Sequence, residues 1–173
     1  MSENLKEWIK DIVIAIIIAV IILQFVKPTI VREHSMENTL IENDYLFVSK
    51  QHYRFHDYKR GDIIVFQSDL ESNTGSKKLL IKRIIAVPGE TIQITGGQVY
   101  IDGEAIEEDY TKDGYTNTEM APLLVPEDSL FCMGDNRQNS ADSRSASIGF
   151  VPFDRVIGKA VFRLFPFHSI GTL

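Results

Sequence analysis

The sequence predicts a mainly β domain, a barrel or sandwich, carried by one N-terminal transmembrane helix. Three observations support this fold class: a long apolar run near the N-terminus, a series of short β-branched and apolar runs after it, and turn residues between those runs. The chain has 173 residues, so one domain with an attachment is the expected organisation.

The apolar run extends from Trp8 to Val26 and reads WIKDIVIAIIIAVIILQFV. As a helix it spans about 28 Å, close to the ~30 Å hydrocarbon core of a bilayer. A cleaved signal peptide is disfavoured by the mixed charges before the run and by the lack of a small-x-small cleavage site. A buried core helix is disfavoured because the run has no polar face. We therefore expect a flank at 1–7, a transmembrane helix at 8–27 and a β domain at 28–173.

Several later segments have the composition of strands, and polar segments separate them. They are Tyr45–Ser49, Asp62–Phe66, Leu79–Val87, Ser129–Met133 and Val156–Leu164. Thr91–Thr95 and Gln98–Asp102 flank Gly96-Gly97, which indicates a two-residue hairpin turn. The polar segments near 68–78 and 107–119 are expected to be mobile loops.

The composition argues against several kinds of site. The net charge of −6, without a block of basic residues, disfavours nucleic acid as a partner. Cys132 is the only cysteine, so neither an internal disulfide nor a tetrathiolate zinc site is possible within one chain. The histidines lack HExxH spacing and there is no glycine-rich phosphate loop. We expect no metal and no cofactor.

Lys82 lies inside an apolar strand pattern, on the same face as Leu80 and Ile84. One interpretation is an edge lysine that discourages aggregation. The other is a desolvated lysine that serves as a general base toward a serine. Lowering a lysine pKa from ~10.4 to about 8 costs roughly 3.3 kcal/mol, which burial can supply.

The segment Met133–Gly149 is dense in Asn, Asp, Ser and Arg directly after an apolar strand. It has the composition of a solvated loop with Asx and Ser turns. The same composition also suits a hydrogen-bonded scaffold for the wall of an active site.

Four motifs, taken in order, resemble the conserved boxes of bacterial type I signal peptidases, the membrane-anchored serine proteases that remove signal peptides from exported proteins. They are SMENTL (Ser35–Leu40), RGDIIVF (Arg60–Phe66), KRIIAVPGE (Lys82–Glu90) and GDNRQNSADSR (Gly134–Arg144). The last matches the family's G-D-N-R-x-x-S-x-D-S-R box at every fixed position. The resemblance covers nearly the whole chain and includes the single anchor of the short Gram-positive-type members.

The resemblance implies a signal-peptidase-like (LexA-like) catalytic fold with Ser35 as the nucleophile and Lys82 as the general base, and with no histidine or aspartate in direct catalysis. The backbone N–H of Ser35 is the implied oxyanion donor. Supporting roles follow for five residues: Ser140 hydrogen-bonding the lysine, Asp142 paired with Arg144, and Arg83 paired with Asp135.

The resemblance also implies the substrate and the location. The partner is the signal peptide of an exported preprotein, bound extended and cut after an Ala-x-Ala pattern, with Met36 and Leu40 lining shallow apolar pockets. The second partner is membrane lipid, which the aromatic C-terminus Val161–Phe167 is expected to touch; a last core strand is an equally good interpretation of the same residues. The implied location is the cell membrane, with one pass, a cytoplasmic N-terminus and an extracytoplasmic catalytic domain. The charges that flank the helix do not give this orientation by themselves.

Two departures from the family pattern stand in the nucleophile box: Glu33 where the family usually has Gly, and Asn38 where it usually has Pro. A carboxylate at position 33 would repel a developing oxyanion unless it points away or is protonated. The alternative hypothesis is therefore a catalytically silent, membrane-tethered relative that binds signal peptides. A self-cleaving repressor is disfavoured by the anchor. A Ser–His protease using His34 is disfavoured because neighbouring side chains point to opposite sides.

Overall fold

The N-terminal helix stands apart from the rest of the chain. The computed structural model describes residues 3–72 and 75–173, and helix α1 spans Glu3–Phe25. Within its segment Asn4–Phe25, an 18-residue window has a mean hydropathy of 2.4, and none of that window is buried against the other described residues. By length and composition it can cross a membrane, as the sequence predicts. It ends before Pro28 because the chain enters a strand at Val26.

The remainder of the chain is mainly β, which confirms the predicted fold class. The strands, in chain order, are β1 (Val26–Ile30), β2 (Tyr45–Ser49), β3 (Ile63–Glu71), β4 (Lys77–Ala86), β5 (Thr91–Thr95), β6 (Gln98–Ile101), β7 (Glu104–Ala105), β8 (Met120–Leu124), β9 (Ser129–Met133), β10 (Val151–Pro152), β11 (Val156–Phe165) and β12 (Gly171–Thr172). A short helix α2 occupies His52–Phe55, and single 3-10 turns lie at Phe153–Arg155 and Phe167–Ser169.

The strands form two sheets, and the strand pairs of the described residues are antiparallel. The large sheet has the order β1-β2-β11-β3-β4-β9-β10, with β12 paired to β11. The small sheet has the order β7-β6-β5-β8. β1 is therefore an edge strand of the large sheet, a position where Pro28 is tolerated because an edge needs no second hydrogen-bond donor.

The hairpin and loop predictions had different outcomes. The predicted turn at Gly96-Gly97 joins β5 to β6, and both glycines have positive φ (58° and 82°). The predicted loop near 68–78 is shorter than expected, because β3 continues to Glu71 and β4 begins at Lys77. The ends of these two strands, Gln67–Glu71 and Lys77–Lys78, are almost entirely polar, so their composition did not mark them as strands. The segment 107–119 lies between β7 and β8 outside helices and strands; the mobility of both loops stays a prediction.

Three apolar clusters hold the domain together. The first joins the two sheets and includes Ile85, Ile92, Ile94, Val99 and Phe131. The second packs under β3, β4 and β9 and contains Cys132, whose burial raises the pKa of its thiol. The third includes Val31, Met36, Leu40, Leu46, Ile63 and Ala160. It anchors the segment that carries Ser35 to the large sheet.

Candidate active site

The structure brings Ser35 and Lys82 together although 47 positions separate them in the chain. Lys82 Nζ donates a hydrogen bond of 2.6 Å to Ser35 Oγ and one of 3.1 Å to the carbonyl of Ile81. Lys82 lies in the middle of β4, opposite Ile64 of β3. The side chains are 1% exposed for Lys82 and 8% exposed for Ser35. This contact has the geometry of a nucleophile and its base.

The charge state of Lys82 follows from its burial. Burial lowers the pKa of Lys82 to about 8, since a buried ammonium loses its hydration. The negative charges of Asp142 and Glu33 oppose this change and the positive charge of Lys78 adds to it. Among residues 3–72 and 75–173, no carboxylate forms an ion pair with Lys82. A neutral amine is therefore accessible near pH 8.

The nucleophile lies in a tight turn that its neighbours fix. The backbone N–H groups of Thr39 and Leu40 both donate to the carbonyl of Met36, at 2.9 and 2.8 Å. Met36 and Leu40 are buried in the third cluster and hold the turn to the sheet. Asn38 is exposed in this turn, so the missing proline leaves no gap in the core.

Asn136 holds the peptide units on both sides of the nucleophile. Its backbone N–H donates to the carbonyl of Ser35 at 3.0 Å, and its Nδ2 donates to the carbonyl of His34 at 3.0 Å. In a trans peptide the N–H points opposite the C=O, so fixing the His34 carbonyl also fixes the Ser35 N–H. Within the described ranges this N–H donates to no protein acceptor. Sequence reasoning missed Asn136, because the motif marks its position but not its contacts.

Two arginine–aspartate pairs brace the site. Arg83 Nε and Nη2 donate to the two oxygens of Asp135 at 2.9 and 2.7 Å. Arg144 Nε and Nη2 donate to the two oxygens of Asp142, each at 2.8 Å. Burial alone would raise the pKa of Asp142, but the hydrogen bonds and charge of Arg144 outweigh it and the pKa is lowered. Asp142 is therefore held in its charged form, and each of the two carboxylates is fixed by two hydrogen bonds from an arginine.

Ser140 does not make the contact that the family resemblance implies. Its Oγ is buried and makes no hydrogen bond to Lys82. It lies instead close enough to Asp142 to help lower the pKa of that carboxyl. It lies against Gly134, where an added Cβ would approach both Ser140 Oγ and the carbonyl of Ser35 to 2.3 Å. Gly134 is therefore required for close packing of this loop on the nucleophile, and the lysine is oriented by Ser35 and Ile81 instead.

A cleft of about 260 Å³ opens beside the dyad. One wall is formed by residues 29–33, 35 and 36, and the other by Val65, Lys78, Leu79 and Ile81. Met36 lines the cleft as the sequence analysis expects. Leu40 does not: it is fully buried in the third cluster, because the turn after Ser35 directs it into the core. Glu33 forms an ion pair with Lys78 of the opposite wall.

Comparisons with known proteins identify the family of the chain. The family model described as signal peptidase, peptidase S26, matches residues 5–165. The chain is 40% identical to a signal peptidase I of Leptolyngbya laminosa, over 99% of this chain and 85% of the relative. It is 38% identical to a signal peptidase I of Bacillus amyloliquefaciens, over 95% of this chain and 90% of the relative.

A solved structure was also similar. The crystal structure of a signal peptidase I from Enterococcus faecalis matches 60% of this chain and 97% of its own, with 31% identity and a TM-score of 0.49. The family match and the two relatives extend over almost the whole chain, from the apolar helix to the end of β11. The chain therefore belongs to the signal peptidase I family of serine endopeptidases, peptidase S26.

Proposed function

We propose that this protein cleaves N-terminal signal peptides from exported preproteins through a Ser35 acyl-enzyme, with Lys82 as the general base. The observation that carries the proposal is the buried 2.6 Å contact between Lys82 Nζ and Ser35 Oγ. It is supported by the pKa of Lys82, which burial lowers to about 8. A lysine in that state accepts a proton near physiological pH.

Acylation follows from this geometry. Neutral Lys82 takes the hydroxyl proton of Ser35 while Ser35 Oγ attacks the scissile carbonyl. The developing oxyanion accepts a hydrogen bond from the Ser35 N–H, which Asn136 holds in place through the His34 carbonyl. Protonated Lys82 then gives its proton to the leaving amine. In deacylation Lys82 takes a proton from the water that attacks the ester, and it returns that proton to Ser35 Oγ as the ester bond breaks and the carboxylic acid product leaves.

The cleft suits an extended peptide with small side chains. β1 pairs with β2 on one side only within the described residues, so its outer edge is free to bind another strand. The cleft beside it is shallow and mostly apolar, with Met36 in its wall. Small residues at the first and third positions before the cut, as in Ala-x-Ala, fit such a space. Leu40 has no part in this selection because it lies in the core.

The helix keeps the site near the membrane. Only residues 26–34 separate the end of α1 from Ser35. Lys50 at the end of β2 donates from its Nζ to the carbonyl of Leu23 at 2.8 Å and from its backbone N–H to that of Phe25 at 2.9 Å. We propose a single-pass protein of the cell membrane with a cytoplasmic N-terminus, an external catalytic domain, and the exposed aromatic end Phe165–Phe167 in contact with lipid.

The silent signal-peptide-binding alternative depends on Glu33 disabling the oxyanion site. The carboxylate of Glu33 pairs with Lys78. The two residues that a silent relative would not need, Ser35 and Lys82, are in contact. Neither observation favours the alternative.

The proposal is tested by preprotein cleavage with the full-length protein in detergent. Ser35→Ala and Lys82→Ala are each expected to abolish cleavage of an Ala-x-Ala preprotein. Ser147→Ala is the matched control, because Ser147 is exposed and does not line the cleft. Thermal unfolding of each variant checks that it is folded. Normal cleavage by a folded Ser35→Ala variant would refute the proposal.

A further inference from the structure

One ion pair spans the mouth of the cleft. Glu33 belongs to the wall that precedes the nucleophile, Lys78 belongs to β4 on the opposite wall, and both line the same cavity as Ser35. Their side chains are 43% and 38% exposed. Exposed pairs of this kind contribute little to the free energy of folding. A role in the reaction would account for the pair better than a role in stability.

The negative charge of Glu33 is unfavourable for the reaction because of where this residue lies. It lies two residues before Ser35, lines the same cleft, and acts electrostatically on Lys82. A free carboxylate there would destabilise negative charge that develops in the transition state. Pairing with Lys78 compensates this charge and holds the carboxylate at the opposite wall.

We infer that Lys78 is a positioning residue for the reaction: by pairing with Glu33 across the cleft, it keeps that carboxylate away from the oxyanion and so permits catalysis in a chain with glutamate at this position. The inference rests on the proposed function. It concerns this chain's own residues, because the pair exists only where position 33 carries an acid and position 78 a base.

The same pair acts on the general base. The charged and titratable groups that influence Lys82 are Asp142, Glu33, Cys132 and Lys78. Glu33 favours the protonated amine, whereas Lys78 favours the neutral one. Losing Lys78 alone therefore raises the pKa of Lys82, whereas losing both charges removes two opposing effects, of which that of Glu33 is the larger. Loss of Lys78 should therefore change the pH dependence of kcat. Loss of a contact with only a structural role would not change it.

The test is a double-mutant cycle on the full-length protein, with kcat and KM measured for an Ala-x-Ala preprotein from pH 6 to 10. Lys78→Met is expected to lower kcat by about tenfold with little change in KM. The pH below which kcat of Lys78→Met falls is expected to be higher than in the wild type. Adding Glu33→Gln to Lys78→Met is expected to restore kcat to within about twofold of wild type. Lys78→Arg is expected to keep activity, because it keeps the charge.

Lys77→Met is the matched control. Lys77 is the neighbouring lysine of β4, but it is exposed, pairs with Asp69 and does not line the cleft. It should leave kcat and the pH profile unchanged. Wild-type kcat in Lys78→Met, or a double variant as slow as Lys78→Met alone, would overturn the inference. Ser35→Ala assayed in parallel separates the two proposals: if it is inactive while Lys78→Met is fully active, only the role of Lys78 fails.

Discussion

Buried charges at this site are held in two opposite ways. In the supporting network each charge has a partner: Asp135 receives two hydrogen bonds from Arg83, and Asp142 receives two from Arg144. In the dyad, Lys82 is as deeply buried but contacts only a hydroxyl and a carbonyl. The two arrangements lie side by side, since Lys82 and Arg83 are adjacent on β4 and point to opposite faces.

This difference teaches how one strand can carry a fixed charge and a proton acceptor in neighbouring positions. Burial disfavours the charged form of any group, but a bidentate partner of opposite charge stabilises that form. Without such a partner the group lowers its pKa instead, as Lys82 does. The network is therefore suited to rigidity, and the dyad to proton transfer. Three substitutions and the pH profile of the wild type test this distinction, from the largest expected effect to the smallest.

Lys82→Arg breaks the dyad while keeping the positive charge. A guanidinium does not lose its proton in proteins, so it cannot act as a base. We expect cleavage to fall by at least about 10³-fold, within the range that general-base removal and misplacement produce together. Single-turnover cleavage measures the effect. A Lys82→Arg variant with a tenth of wild-type activity would show that proton abstraction does not depend on a neutral amine.

Arg83→Met breaks the network on the other face of the same strand. It leaves Asp135, which is fully buried, without its main partner. Breaking a buried pair in this way costs roughly 3–5 kcal/mol of unfolding free energy. Denaturant unfolding in detergent measures it. Lys77→Met, which removes an exposed pair, should change stability by no more than about 1 kcal/mol; equal losses in the two variants would contradict the comparison.

Asn136→Ala tests the uncharged hydrogen bonds that support the nucleophile. It removes the bond from Nδ2 to the His34 carbonyl but retains the backbone bond to Ser35. We expect kcat to fall by about ten- to a hundredfold with KM little changed, because the oxyanion donor loses its fixed orientation. The acid limb of the pH profile should stay in place, because Asn136 carries no charge. A loss confined to KM would assign Asn136 to substrate binding instead.

The pH profile of the wild type sharpens the comparison further. Lys82 must be neutral to act, so kcat/KM should rise about tenfold per pH unit below pH 8 and level off above it. The pKa of Lys82 is lowered on folding from 10.5 to about 8, so the unfolded chain binds more protons between those values. The contribution of Lys82 to stability therefore becomes more favourable as pH rises from about 8 to 10.5. A rate plateau that begins near pH 6 would contradict this assignment.

Local patterns in the sequence predicted the elements with strong signals. The apolar run predicted α1, β-branched runs predicted β2, β9 and most of β11, and Gly96-Gly97 predicted the β5–β6 hairpin. β1 was missed because Pro28 reads as a break, although an edge strand tolerates proline. β8 was missed because it is short and exposed with Pro122 at its centre. These strands depend on partners in the sheet, which local composition does not specify.

By itself the sequence determined the kind of protein: an apolar helix long enough to span a membrane, a mainly β domain, and motifs that name Ser35 and Lys82. Only the tertiary structure decided which groups act on them. Asn136 fixes the peptide before Ser35, Ser140 does not bond the lysine, Leu40 belongs to the core, and Glu33 pairs with Lys78. The reason is physical. A motif fixes residue types, whereas hydrogen bonds, burial and pKa depend on distances that arise only when strands far apart in the chain pack together.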